Sequence, residues 1–214
     1  MSQNLIEDML REEYLDLLPE IRSVVSTLEA EIRYHTRHIR SELKDHEQLI
    51  IKSRTKECDS AIETLRGKSH GRVFDPTKKY SMRDLPDLVG VRVLVFPNSR
   101  VEQVDSVLRP HFQGWRYDPV PDGFGLKLAH KYDGYLAKGS PNLRAEYQIV
   151  PMLLGLFWEV EHAAMYKSEI VANSGNMRKR RAIVETALSD FEAGVASLLP
   201  DNSTRETSAL DSDS

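Results

Sequence analysis

An α/β fold is predicted for this chain by apolar residues at helical spacing from Leu5 onward, a valine-rich apolar run over 88–96, and later apolar segments bounded by Asp-Gly pairs. Leu5, Met9, Leu10, Leu17, Leu18, Ile21, Val24, Val25, Leu28 and Ile32 recur on one helix face. Pro19 interrupts them; proline is accepted in a first helical turn, so it is read as opening a second helix that continues toward Asp45. The next helix is predicted over 54–66, with Cys58, Ile62 and Leu65 on its apolar side and Gly67 as its stop. Residues 68–80 carry Gly and Pro without periodicity and read as a loop, made basic by Arg72, Lys78 and Lys79. The run over 88–96 suits a buried central strand, in which Arg92 needs a partner. A surface helix is expected over 99–108 and a short strand over 115–118, ended by Pro119. Asp122-Gly123 and Asp133-Gly134 are turn signals, with strands expected over 126–132 and 143–150. Pro151 then opens a helix to Lys167, a last helix covers 178–199, and the Asp- and Ser-rich tail from Pro200 is expected to be disordered.

A chain of 214 residues, 40% hydrophobic and 29% charged, can bury a core around a sheet without disulfides. No apolar run approaches the length of a membrane span, and the first residues carry Asn, Glu and Asp where a secretory leader would be basic and then apolar. A cytoplasmic address is expected. The single cysteine, Cys58, excludes an internal disulfide and a cysteine-built zinc site. A net charge of −4 argues against bulk attraction to nucleic acid, which leaves local charge to be read segment by segment.

Arg54, Lys56 and Ser60 are read as the start of a helix, where free N–H groups and two cations would favour a triphosphate. Asp87 stands just before the central strand and Glu146 within a later one. A sheet pairing those strands can bring both carboxylates to one end, as a Mg²⁺ site bridging to phosphates requires. His162 lies one helical turn from Trp158 and Tyr166, which reads as a packed histidine bonded to a nearby acid.

Taken in order, Arg54-x-Lys56-x-x-x-Ser60, Asp87-x-x-Gly90-x-Arg92, Glu146-x-Gln148 and Glu161-His162 resemble the synthetase domain of the RelA/SpoT alarmone family. The resemblance covers about residues 20–170. It implies a nucleotidyltransferase-like fold, a mixed sheet of about five strands flanked by helices, with the synthetase domain over 48–170. A helical arm over 1–47, a helix over 171–199 and a tail over 200–214 would surround it. The hydrolase and regulatory domains of the long family members are not expected. By resemblance, Arg54, Lys56 and Ser60 bind the donor ATP, with Arg92 and Gln148 completing the nucleotide site. Asp87 holds Mg²⁺, and Glu146 either shares the ion or activates the attacking hydroxyl. The Glu161-His162 pair supports the site, His162 with a nucleotide contact.

The acceptor motif Gly-Tyr-x-Ser-x-His departs from the family pattern. One register places Gly125 to His130 there, keeping glycine and histidine but losing the tyrosine and serine; another keeps only Gly134-Tyr135. Stacking on a purine needs an aromatic ring, which favours Tyr135. The arginine and threonine usual after the Glu-x-Gln motif are Val150 and Pro151 here.

The implied activity is Mg²⁺-dependent transfer of diphosphate from ATP to the ribose 3′ hydroxyl of GDP or GTP. Two alternatives stand beside it. One is pyrophosphorylation of the tRNA 3′ end, with Arg178 to Arg181, Lys127, Lys131 and Arg144 contacting phosphates. The other is a nucleotide-binding regulator without turnover. The apolar N-terminal arm could equally complete the domain or build a homo-oligomer.

Overall fold

The computed structural model describes residues 3–67, 73–121, 127–136, 142–166 and 175–198. Its first element is one continuous helix, α1 (Gln3–His35), with Pro19 inside it. The predicted break does not occur. A mid-helix proline costs ~3 kcal/mol through a lost hydrogen bond and a ring clash. Pro19 faces solvent, while Tyr14, Leu17, Ile21 and Val24 continue one buried seam through that point. Burial of the seam outweighs the local defect.

The chain next forms a short helix, α2 (Arg37–Ser41), and then a strand, β1 (Gln48–Thr55), where no strand was expected. Helix α3 (Cys58–Arg66) starts four residues later than predicted, so Arg54 belongs to β1 and not to a helix start. Gly67 does end α3, at φ 99°, with its N–H donating to the Glu63 and Thr64 carbonyls. Strand β2 (Val89–Phe96), helix α4 (Val101–Leu108), strands β3 (Arg116–Tyr117) and β4 (Val120–Pro121), and strand β5 (Lys127–Tyr135) follow. Strand β6 (Arg144–Pro151) leads directly into α5 (Met152–Tyr166), and α6 (Gly175–Leu198) closes the described chain. No described helix is long and apolar enough to cross a membrane.

The fold is an α+β arrangement around a mixed sheet in the order β1-β2-β6-β5-β3, with β4 pairing with β5 off that path. The pair β2–β6 is parallel; β1–β2, β5–β6 and β3–β5 are antiparallel. The seam of α1 packs on one sheet face against Val89, Val91, Val93 and Val95 of β2 and Ala145, Tyr147 and Ile149 of β6. On the other face a smaller cluster covers only part of the sheet: Leu94, Ala129 and Val150 under Met152, Leu154, Phe157 and Trp158. The uncovered remainder of that face is polar.

The Asp133-Gly134 turn signal is also corrected, since β5 runs through both residues to Tyr135. Gly134 serves a close approach: a Cβ there would stand 2.6 Å from Cγ of Trp115 and 2.8 Å from its Cδ2. The Trp115 ring, tied by its Nε1–H to the Tyr135 carbonyl at 3.0 Å, has little room to retreat. Gly134→Ala is therefore expected to lower stability by about 1–3 kcal/mol, read as a lower urea midpoint at unchanged slope.

Candidate functional site

Successive strand residues alternate between faces, so register alone assembles a polar surface on the open half of the sheet. One row runs Arg54, Gly90, Glu146, Asp133, Arg116 across five strands. The adjoining row, one step nearer the apolar cluster under α5, runs Lys52, Arg92, Gln148, Lys131. On the outer side Arg144 pairs with Tyr135, and Lys56 follows β1 with its N–H donating to the Leu88 carbonyl at 3.0 Å. Cations outnumber carboxylates on this surface, which suits a polyanion.

The two carboxylates singled out from the sequence each carry a lysine. Asp87 accepts from Lys56 Nζ at 2.5 Å, immediately before β2. Glu146, only 4% exposed, lies 3.2 Å from Lys131 Nζ and accepts from Gln148 Nε2 at 2.5 Å. Asp87 precedes Gly90, the partner of Glu146, by three residues, an offset of about 10 Å along the strand. The pair thus share one end of the sheet without touching. Burial works against the Lys131 ammonium, but Glu146 outweighs it and holds its pKa above the ordinary value.

Arg92 has the partner that its place in the apolar run demands. Its Nε donates to Gln148 Oε1 at 3.2 Å, and its NH1 lies 3.7 Å from Glu159 of α5. Burial, then the neighbouring Arg54, push the guanidinium pKa down. Glu159 also takes Lys52 Nζ at 2.8 Å. A chain of polar contacts consequently runs from Lys131 through Glu146, Gln148 and Arg92 to Glu159 and Lys52. Arg54 lies across Gly90, where a Cβ would meet its Cγ and Nε at 3.5 Å.

At the β5 end of this face, Asp133 is 1% exposed and binds both Arg116, whose Nε donates at 2.9 Å, and Arg144. Tyr135 is half exposed on the same face as Glu146. In the competing register, Gly125 and Leu126 lie outside the described residues. His130 pairs with Ile149 and faces the opposite side, where its ring nitrogens lie 3.1 Å from Glu102 and 3.1 Å from Asp105. Among the described residues, Glu102, Asp105 and His130 are the sole trio of His, Cys, Asp or Glu close enough to share an ion; neither Asp87 nor Glu146 belongs to it.

No protein-family model matches the chain, and no curated protein resembles it in sequence. Solved structures do match in shape. Small alarmone synthetase 1 from Bacillus subtilis bound to its product pppGpp superposes with TM-score 0.65 at 15% identity, covering 87% of this chain and 96% of that one. The same synthetase bound to AMPCPP gives 0.59 at 14% identity, over 87% and 97%. A GTP pyrophosphokinase family protein from Streptococcus pneumoniae gives 0.60 at 19% identity, over 87% and 92%. The chain has the alarmone-synthetase fold.

Within this alarmone-synthetase fold the structure places Arg54, Arg92, Glu146, Gln148 and Tyr135 on one face, with Lys56 and Asp87 at its edge and Ser60 in the first turn of α3. The side chain of His162 lies outside the described residues. Its neighbour Glu161 pairs with Arg181 of α6 at 3.5 Å, and Trp158 donates to Glu185 at 2.9 Å, so this stretch joins α5 to α6. Sequence reasoning missed Lys52, Asp133 and Glu159 as members of the polar surface. The available signal was polar alternation in Lys52-x-Arg54-x-Lys56 and Lys131-x-Asp133-x-Tyr135.

Proposed function

We propose that this chain is a Mg²⁺-dependent pyrophosphokinase that transfers the β,γ-diphosphate of ATP to the ribose 3′ hydroxyl of GDP or GTP, making (p)ppGpp and releasing AMP. The observation that carries this reading is the strand register. It sets Arg54 and Arg92 beside Glu146 on one sheet face, with the Lys56–Asp87 pair at its edge, in a fold whose solved neighbours include one bound to pppGpp and one bound to AMPCPP.

Arg54, Lys56, Ser60 and Arg92 hold the donor triphosphate. The 3′ oxygen attacks the β-phosphorus, the bond from that phosphorus to the α,β-bridging oxygen breaks, and AMP leaves with that oxygen. Glu146 takes the hydroxyl proton, held in place by Gln148 and Lys131. Asp87 and Glu146 offer the hard oxygen donors that suit Mg²⁺, and the ion, when bound, neutralises charge on the transferred diphosphate. Tyr135 stacks on the acceptor base. His162 is proposed to support the nucleotide from α5. A cytoplasmic address, where ATP and GTP are at hand, goes with this reading.

For tRNA as acceptor, several of the cations proposed to meet phosphates are already engaged: Arg181 with Glu185, Lys131 with Glu146 and Arg144 with Asp133. The test is incubation with Mg²⁺ and ATP labelled in the β or γ phosphate, offering GDP, GTP, ATP or bulk tRNA in turn. Label on a guanine nucleotide is expected. Label on tRNA would replace the acceptor, and ATP binding without transfer to any acceptor would leave a nucleotide-binding regulator.

A further inference from the structure

The face of β5 turned away from the polar surface carries a second group of ionisable side chains. His130 is 2% exposed and stands against α4, with its Nε2 3.1 Å from Glu102 Oε1 and its Nδ1 3.1 Å from Asp105 Oδ1. The two carboxylates differ in kind. Asp105 is 3% exposed and accepts from the Tyr132 hydroxyl at 2.6 Å, while its other oxygen lies 3.9 Å from Arg109 Nε. The Glu102 side chain is 67% exposed and bounds the cluster on the solvent side.

We propose that His130 Nε2 and Glu102 bind a divalent transition-metal ion of the Zn²⁺ class, with Asp105 as the positioning residue. Donors of one such ion lie about 2.0–2.2 Å from it, so two of them stand about 2.9 Å apart at a right angle and about 3.4 Å apart at a tetrahedral one. The 3.1 Å between Nε2 and Glu102 falls in that interval. A metal-bound histidine almost always donates its other ring N–H to a carboxylate, which fixes the tautomer and the ring orientation. Asp105 occupies that place: accepting from Nδ1–H, it turns the Nε2 lone pair toward Glu102, and Tyr132 holds Asp105 in turn. Three side chains from two elements therefore form a ligand pair with its support behind it, and water completes the shell beside Glu102. An imidazole donor suits Zn²⁺ or Co²⁺, whereas Mg²⁺ takes oxygen. This separates the cluster in chemistry from Asp87 and Glu146, as the sheet separates it in space. A bound ion would pin α4 to β5. The competing arrangement is an imidazolium that donates to both carboxylates, and the two differ in the proton on Nε2.

The site is read on the full chain by titration with CoCl₂ in excess MgCl₂, followed by visible absorption, with ZnCl₂ added afterwards. Saturable binding of one Co²⁺ per chain is expected, reversed by Zn²⁺. Nitrogen-15 spectra of the ring, taken with Zn²⁺, should show His130 protonated at Nδ1 alone, and Zn²⁺ should raise the melting temperature. Glu102→Ala, at an exposed position, should keep the fold, weaken Co²⁺ by about tenfold or more and abolish the melting shift. Asp105→Asn keeps an oxygen for Tyr132 but loses the charge behind Nδ1; it should weaken Co²⁺ by about 10- to 100-fold and alter the cobalt spectrum. Asp87→Asn should leave cobalt affinity unchanged. No saturable binding in the parent, parental affinity in Glu102→Ala, a proton retained on Nε2 with Zn²⁺ present, or loss of the cobalt spectrum in Asp87→Asn would each overturn the proposal.

Discussion

Asp87→Asn is expected to slow diphosphate transfer by about 10³-fold while unfolding stays cooperative. The substitution keeps the shape of the side chain and an oxygen that can accept from Lys56, which bonds Asp87 at 2.5 Å. It removes the negative charge that a Mg²⁺ site at this sheet edge depends on. Donor binding should change less than the rate, because the cations proposed to hold the triphosphate, Arg54, Lys56 and Arg92, are unchanged. Single-turnover transfer of labelled phosphate measures the rate, and equilibrium binding of a non-hydrolysable ATP analogue measures the donor. A rate within threefold of the parent would remove Asp87 from the chemistry.

Glu146→Gln is expected to affect both activity and stability. Transfer should fall by about 10²-fold or more with the loss of a general base. Stability should fall too, because Glu146 is 4% exposed and the partly buried Lys131 loses the carboxylate 3.2 Å away. Breaking a fully buried pair costs about 3–5 kcal/mol, and the 26% exposure of the Lys131 side chain brings the expectation nearer 2 kcal/mol. Adding Lys131→Met should recover much of the stability and none of the activity, a coupling that denaturant unfolding of the single and double variants would measure. If Glu146→Gln unfolds like the parent and still transfers phosphate, the proposed role of Glu146 is wrong.

The sequence by itself determined where most helical segments lie, though not their ends, because a stripe such as Ile21, Val24, Leu28 and Ile32 repeats at the helical period whatever it packs against. It also determined the central strand: the valines of 89–95 are buried and the strand stands between two others, so almost nothing polar interrupts the run. The ordered pieces around Arg54, Asp87, Glu146 and Gln148 were legible as motifs, and the structure brings them to one face and edge of the sheet.

Only the tertiary structure decided what those pieces share. In β1 just Leu49 and Ile51 are buried; Lys52 and Arg54 lie on the polar surface, and Ser53 and Thr55, on the same face as Leu49 and Ile51, are exposed too. A strand half made of site residues has little apolar alternation to read. Pro19 and Gly134 misled in the opposite sense, each a local break signal overridden by packing, of the α1 seam in one case and of the Trp115 ring in the other. The pairing of Arg92 with Gln148 across β2 and β6, and of Glu146 with Asp133 across β6 and β5, joins residues distant in sequence. Their meeting is fixed by hydrogen-bond register, which no local window of residues specifies.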